Sequence, residues 1–539
     1  MGPAAGTGMT LTLGTELPGH SGPGAGAAPV DRPAATGPAT IHRPAGPGAT
    51  AVARATSGAA GATAVARAAS GAEGATVSPA PVDRVSTPAL RQVADGLDPG
   101  ALSFRAGVGA LLVVSFVALL ALQHWVWPTD TRPHGTAARV LRDLCWLWVL
   151  NALPATVGLL GMLTMRGRRR VSRATATPIP TTVCFRVVTR GTNVRAVCET
   201  VRSISEAMAA LPLFPYRVEV VTDDPIVALD AAAAELIVVP KGYETPRGTR
   251  FKARALQYAL EHSDLPSDAW ILHLDEESRV DASTVVGVRH AVEEEEASGA
   301  HRIGQGMILY HRDLADHPFL TLADSVRTGD DLGRFALQHR MGWPVFGLHG
   351  SFILVRCDVE RQVGFDLGAA GSVTEDAYWA LLEMQLGRRT RWVDGVVIEQ
   401  STQSARDFLK QRRRWFVGLT KTLLHAPVGR WRKLALSACM TAWAVSWVCA
   451  ATAVLVALGH VSAPPVAFCI GAWSLSVYVL EYVVGLRVNL AHRGTTTPGC
   501  RALLYLSQVV LMPVFSALEI AGVLYAVVRP ESGFHVVKK

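Results

Sequence analysis

Five long apolar segments, spaced unevenly around one large polar stretch, restrict this chain more than any other feature. They run roughly over residues 104 to 126, 143 to 164, 433 to 458, 464 to 486 and 502 to 528, and each has about the length, roughly 20 residues, that a helix needs to cross a bilayer. Between the second and third lie nearly 270 residues of ordinary polar content, enough for a globular domain with its own core.

Basic flanks set an expected orientation. "MRGRRRVSR" follows the second segment and "VGRWRK" precedes the third, so both ends of the large domain are expected at the cytoplasmic face. The loop "LRVNLAHRG" agrees, which puts the loop around "WPTDTRPHG" and the C-terminal "ESGFHVVKK" outside. Residues 1–98 are mostly Ala, Gly, Pro, Thr and Ser with almost no aromatic residue, a composition that buries little and is read as a disordered tail. No signal peptide is read there, because no apolar core follows an early basic run. The expected organisation is two spans in 99–170, a cytoplasmic domain in 171–402, an interfacial helix in 403–432, three spans in 433–529 and a short tail in 530–539.

The formal net charge of +8 raises nucleic acid as a partner. The basic residues gather instead at membrane borders and in one helix near 406 to 414, where anionic lipid headgroups account for them. The cysteines form no CxxC or Cys/His cluster, and Cys145, Cys439, Cys449 and Cys469 lie in or beside apolar segments, where a small apolar role is expected.

Within the large domain, strand-like runs alternate with helical patterns. "TTVCFRVVTRG", "YRVEVVTDD", "AELIVVP" and "AWILHLDEES" read as strands, "NVRAVCETVRSISEAMAAL" and "RFKARALQYALEHS" as helices, the order of a doubly wound α/β domain. Ligands of such sheets gather at the carboxyl ends of the strands, where the polar residues are Thr189, Arg190, Asp223, Asp224 and Asp275. Neither GxGxxG nor GxxxxGK[ST] follows the first strand, which argues against dinucleotide oxidoreductases and P-loop ATPases.

Three features carry chemistry. Asp275, Glu276 and Glu277 end an apolar strand; Asp275 and Glu277, at i and i+2, could face one side and hold Mg²⁺ or Mn²⁺ against a diphosphate. The alternative is a solvated turn in which Glu276 and Glu277 cap the next helix. A second acidic pair, Glu375 and Asp376, follows Thr374 at the start of an amphipathic helix, where a capped, ionised carboxylate suits a general base. In "ARDFLKQRRRWFVGLTKTLL", Gln411 and Trp415 lie one helical turn apart with Arg414 alongside, joining a diphosphate-binding cation to an aromatic surface for a sugar; the plainer account is a basic helix lying on the membrane.

Together, "RVVTRG", "EVVTDD", "KARALQYA", "LHLDEES", "HGSFILVRCDVE", "GSVTEDAYWA" and "QRRRW" resemble the inverting family 2 glycosyltransferases of GT-A fold, and more narrowly the Egghead-like β-1,4-mannosyltransferase branch with its bacterial relatives. The resemblance covers about residues 180 to 420 with the flanking spans and leaves the first 98 residues uncovered. It implies that Thr189, Arg190 and Asp223 bind the nucleotide, with Arg254 and less certainly Lys252 beside the donor phosphates. It further implies a metal at Asp275 and Glu277, with Glu276 sharing or replacing the latter, and Asp376 as the base. Gln411, Arg414 and Trp415 match QxxRW, the element for diphosphate and acceptor, and His349, Gly350, Ser351 and Glu375 become acceptor-side neighbours.

The implied reaction moves a sugar, GDP-mannose being the branch's donor, to a lipid-linked or saccharide hydroxyl at the inner face of the plasma membrane. Mannose against glucose and guanine against uracil stay open in the residues themselves. So do a processive β-glycan synthase using a UDP-sugar, a noncatalytic scaffold, and a transporter. The only support for a transporter is Glu481 and Glu519 in the last two spans, whose alternative is pairing with Arg487 or an interfacial position.

Overall fold

The computed structural model describes residues 87–126, 135–169, 171, 173–494 and 496–530. The tail expected over 1–86, the external loop of 127–134 and the end segment 531–539 lie outside the described residues. The tail was expected to reach residue 98, but Thr87–Ala94 forms a helix whose Val93 is buried in the core with Val183 and Val288. One well-placed apolar residue per turn anchors a segment that composition alone marks as unfolded.

Among the described residues one sheet holds eight strands: β1 (Val183–Thr189), β2 (Tyr216–Thr222), β3 (Glu235–Val238), β4 (Trp270–Asp275), β5 (Arg279–Val280), β6 (Ile303–Leu309), β7 (Ile353–Arg356) and β8 (Thr390–Ile398). Their order is β3-β2-β1-β4-β7-β6-β8-β5. The first four are parallel; β1 and β4 are apolar runs covered on both faces, while the edge strand β3 is partly exposed. Beyond β4 the doubly wound pattern stops, because β7 enters antiparallel to β4, with His273 opposite Ile353, and β6 is antiparallel to β7. The sheet is therefore the mixed sheet of a GT-A domain. Antiparallel entry also matters for the site: the residues just before β7, His349 to Ser351, arrive at the end of β4 where Asp275 stands.

A buried charge cluster ties the parallel half together. Arg186 of β1 donates from Nε to Glu219 of β2 at 2.7 Å and from a terminal nitrogen to Glu360 at 2.9 Å, and His273 of β4 lies 3.2 Å from the other Glu360 oxygen. All of these side chains are buried.

Among the described residues five helices are long and apolar enough to cross a membrane: Leu102–Leu122, Thr136–Thr164, Arg430–Ala457, Pro465–Arg493 and Pro498–Val528. The segment Pro318–Met341 joins them to the sheet. A Cβ on Gly161 of the second span would stand 1.8 Å from the Gly333 carbonyl oxygen, and one on Gly485 of the fourth span 1.9 Å from that of Ser325. Small residues thus let backbone meet backbone, as they do between membrane helices. Tyr310, just past β6, donates its N–H to Asn489 of the fourth span at 2.9 Å, so the sheet and the spans form one frame.

Replacing Arg186 with Met leaves Glu219 and Glu360 buried without their cation. The expected cost is about 3–5 kcal/mol, read as a lowered thermal-unfolding midpoint of the solubilised protein; an unchanged midpoint refutes the cluster's role.

Candidate functional site

Parallel register assembles the first part of the site. Thr189 is level with Thr222 and Val188 with Asp275, so Thr189, Arg190, Asp223 and Asp275 share one sheet edge. Here β1 lies between β2 and β4, the switch point at which open sheets leave a crevice. Asp223 accepts a hydrogen bond from Arg254, which also donates to the carbonyls of Pro240 at 3.3 Å and Tyr243 at 3.1 Å. Thr189 donates to Glu276 and accepts from the Gly191 N–H at 2.9 Å, while the exposed Arg190 stands at the rim.

The three consecutive acids leave the strand at once. β4 ends at Asp275, and a tight turn follows in which the Ser278 N–H donates to the Asp275 carbonyl at 3.1 Å. The expected i, i+2 strand alternation therefore does not act here; the turn brings Asp275, Glu276 and Glu277 to one cavity. The helix-cap alternative also fails, because Asp281 caps the following helix through the N–H groups of Ser283 and Thr284.

At the centre stands Lys252, from the helix Phe251–His262. Its ammonium donates to Asp275 and, at 2.7 Å, to the Gly350 carbonyl, and lies 3.6 Å from Glu375. A Cβ on Gly350 would stand 3.3 Å from both Asp376 Oδ2 and Lys252 Nζ, so Gly350 is packed against the Asp376 carboxylate and the ammonium together. Asp376 sits in the first turn of the helix Glu375–Gln385 and accepts from the Ala377 N–H at 2.8 Å. Burial, then the charge of Glu375, pushes its carboxyl up to about 7, while the Ala377 N–H and Lys252 pull it down. The helix terminus was expected to keep this carboxylate ionised near neutrality; desolvation opposes that and raises it. Nor does Thr374 cap that helix: its hydroxyl meets Thr422 at 3.1 Å on the helix Ala405–His425.

That second helix was expected at the membrane interface, with Arg414 toward the diphosphate and Arg412 and Arg413 free to point elsewhere. Gln411, Arg412 and Arg413 are buried instead. Arg412 donates to Asp324 at 2.8 Å, to Glu519 of the fifth span at 2.6 Å and to the Gln411 side-chain oxygen at 2.7 Å. Arg414 faces Glu375, Asp275, Asp376 and Glu277, whose charges raise its guanidinium while burial, the larger effect, lowers it. Trp415 lines the cavity, with the guanidinium carbons of Arg412 and Arg327 at 4.4 Å and 4.7 Å from its ring centre. The ring expected to offer a sugar platform is engaged by cations. His349 lies 3.3 Å from Asp331, and burial holds its imidazole well below the usual range, so it is neutral; Ser351 meets Ser278 at 2.8 Å.

The expected site residues, from Thr189 to Trp415, all open on one cavity of ≈ 1090 Å³. Its other end runs between the spans, past Ala453, Val456, Phe468 and Leu475, with Asp330, Arg334 and Glu481 between. Sequence patterns placed the carboxylates and QxxRW but missed Arg327 and the Asp330–Arg334 pair, and left Lys252 as a minor contact. The only available signal for Lys252 was its two-residue spacing from Arg254. Among the described residues no group of three or more His, Cys, Asp or Glu side chains is placed to hold a metal. Asp275 and Glu277, the expected metal ligands, both line this cavity, and Asp275 is already engaged there by the Lys252 ammonium.

Residues 270–486 match the model of glycosyl transferase family group 2. The β-1,4-mannosyltransferase egh of Drosophila melanogaster is 30% identical over 407 residues, covering 75% of this chain and 85% of that protein. The β-1,4-mannosyltransferase bre-3 of Caenorhabditis elegans is 31% identical over 398 residues, 72% of this chain and 86% of its own. A solved mannosyltransferase from Pyrobaculum calidifontis is 14% identical, covers 77% of this chain and 99% of its own, and superposes with a TM-score of 0.35, too low for a functional argument.

With Asp376 near 7, a group that must accept a proton is lost below that pH, so turnover is expected to rise through about pH 7 and then level. Lys252→Met removes a cation that favours the ionised form and moves the midpoint to higher pH. A pH–rate profile with an unmoved midpoint contradicts this coupling.

Proposed function

Because the chain belongs to the family 2 glycosyltransferases, in the branch of the egh and bre-3 β-1,4-mannosyltransferases, we propose that it is a membrane-bound inverting enzyme that transfers mannose from GDP-mannose to a lipid hydroxyl in β linkage. That it is a glycosyltransferase follows from the relatives; donor, acceptor and stereochemistry are our reading. One observation carries it: the cavity that holds Asp376, Lys252 and Arg414 continues between the spans along an apolar wall. A hydrocarbon chain fits that wall, which would let a lipid acceptor reach Asp376 without leaving the bilayer. A growing β-glycan carries hydroxyls along its whole length and finds few polar partners at Ala453, Val456 and Leu475. The basic flanks of the second and third spans support a catalytic domain on the cytoplasmic side of the plasma membrane, where nucleotide sugars are held.

In this reading Asp223, Thr189 and Arg190 receive the nucleotide, and Arg254, which already pairs with Asp223, reaches the diphosphate. Asp275 and Glu277 would hold a divalent cation, which when bound would supply neutralising charge to that diphosphate. Asp376 takes the proton of the acceptor hydroxyl as its oxygen bonds to C1 of the sugar; the bond from C1 to the diphosphate breaks, and the nucleoside diphosphate leaves. Arg414 meets the charge that grows on the leaving group. Lys252 holds Asp275 and the Gly350 carbonyl in register, keeping donor and base halves aligned.

The test offers labelled GDP-mannose and UDP-glucose separately to the solubilised protein, with Mg²⁺ or Mn²⁺ and a membrane lipid extract, and sizes the product. A short lipid product from GDP-mannose alone is expected; long polymer from UDP-glucose replaces this reading with a processive synthase. Asp376→Asn is expected to lower transfer by about 10²–10⁴-fold with donor binding retained, whereas Asp275→Ala weakens donor binding as well. Unchanged turnover in Asp376→Asn removes that residue from the mechanism.

A further inference from the structure

Trp415 is one layer of a stack. The Arg327 guanidinium carbon lies 4.3 Å from the Tyr310 ring centre and 4.7 Å from that of Trp415, while the Arg412 carbon lies 4.4 Å from the Trp415 ring centre and 4.1 Å from that of Phe408. Ring and cation thus alternate from Tyr310, just past β6, to Phe408 on the helix Ala405–His425. Such contacts strengthen where water is excluded. The indole is held by two cations before any ligand arrives.

The two arginines differ in what their donors do. Arg412 directs its N–H groups to Asp324, Glu519 and Gln411. Arg327, from the helix Pro318–Asp330, lines the cavity, and among the described residues its guanidinium makes no hydrogen bond or ion pair. A guanidinium carries five N–H donors. Cation–π contact engages its charge and uses none of them, and donors left unmet in an interior are costly.

The surrounding charges say what those donors lack. Burial works against the Arg327 charge, but Tyr310, Asp324 and Glu399 raise it further than burial and Arg412 lower it. Asp324 is bonded to Arg412, and Glu399 accepts from the Tyr310 hydroxyl at 3.2 Å. Asp331 and His349 also face Arg327; burial raises the Asp331 carboxyl well above the usual range and keeps His349 neutral. With Arg412 and Glu519 included, two guanidiniums stand against three carboxylates, Asp324, Glu399 and Glu519. Arg414 is itself faced by Glu375, Asp275, Asp376 and Glu277. No positive excess at Arg327 calls for an anion, so its donors want neutral oxygens, hydroxyl or ether. Asp376 is close by way of two neighbours: His349 precedes Gly350, which is packed on Asp376, and Trp415 follows Arg414, which faces it.

We propose that Arg327, and not the face of Trp415, is the specificity contact for the acceptor: its N–H donors bond the oxygens that flank the reacting hydroxyl. Trp415 and Tyr310 then serve to hold Arg327. This rests on the reading above in which an acceptor hydroxyl meets Asp376. An acceptor with oxygens beside its reacting hydroxyl satisfies Arg327 and is turned in one orientation; a plain alcohol leaves Arg327 unmet and gains nothing from it.

The test uses the full-length enzyme in lipid nanodiscs with labelled GDP-mannose and two acceptors on the same hydrocarbon chain, dodecyl β-glucoside and dodecanol. Wild type is expected to use the glucoside with the higher kcat/KM. Arg327→Met is expected to lower kcat/KM for the glucoside by about 10- to 100-fold, the loss of a hydrogen bond from a charged donor. Its kcat/KM for dodecanol and its KM for GDP-mannose are expected to stay unmoved. Arg327→Lys keeps the charge without the fork; an intermediate loss confined to the glucoside is expected, which decides the matter if the Met variant does not fold. Equal losses on both acceptors make Arg327 a support for Trp415 alone and overturn the contact. Undiminished glucoside transfer in Arg327→Met, or a wild type that does not distinguish the two alcohols, overturns it as well; in each of these cases the proposed function stands. Transfer to neither alcohol overturns the lipid-acceptor reading and the contact with it.

Discussion

Arg412 is the interaction on which the arrangement of this protein depends. One buried guanidinium bonds Asp324 of the segment beneath the sheet, Glu519 of the fifth span and the side chain of Gln411. A charge removed from water is tolerated only when its hydrogen bonds are satisfied by groups of opposite sign. Satisfying Arg412 therefore forces the catalytic domain, the QxxRW helix and the membrane helices into one geometry. Gly522 of the fifth span makes the close approach feasible, since a Cβ there would stand 2.5 Å from the Arg412 side chain. Arg414, two residues along the same helix, is thereby aimed at the carboxylates of the site.

Lys252 plays the corresponding part inside the crevice. Carboxylates from two separate parts of the chain, Asp275 and Glu375, converge with Asp376 on one cavity, and their mutual repulsion would spread them apart. The ammonium between them offsets that repulsion and, through the Gly350 carbonyl, fixes the segment that leads into β7. The rise of Asp376 to about 7 comes from burial and from Glu375, which suits the role of base proposed for it.

Much of this was legible in the residues. The apolar runs of β2 and β4, the carboxylates at their ends and the QRRRW spacing are local patterns, and local patterns report strand, turn and helix directly. The antiparallel entry of β7 was not legible, because "SFILVR" reads as a strand in either direction and only its pairing with Trp270–His273 decides which. Arg412 and Arg414 carry the same side chain two positions apart, and nothing local distinguishes the one locked in a buried ion network from the one facing the site. Glu481 was visible as an acid in an apolar run, but its partners come from a segment about 150 residues earlier.

The sequence by itself determined the membrane anchoring, the α/β character of the central domain and the residue types available for sugar transfer, since hydropathy, periodicity and spacing are properties of consecutive residues. Tertiary structure alone decided the mixed sheet, the protonation of Asp376, the engagement of Trp415 by arginines and the cavity that joins the carboxylates to the spans. Each of these depends on which distant groups share a low-dielectric space, and distance along the chain carries no information about that.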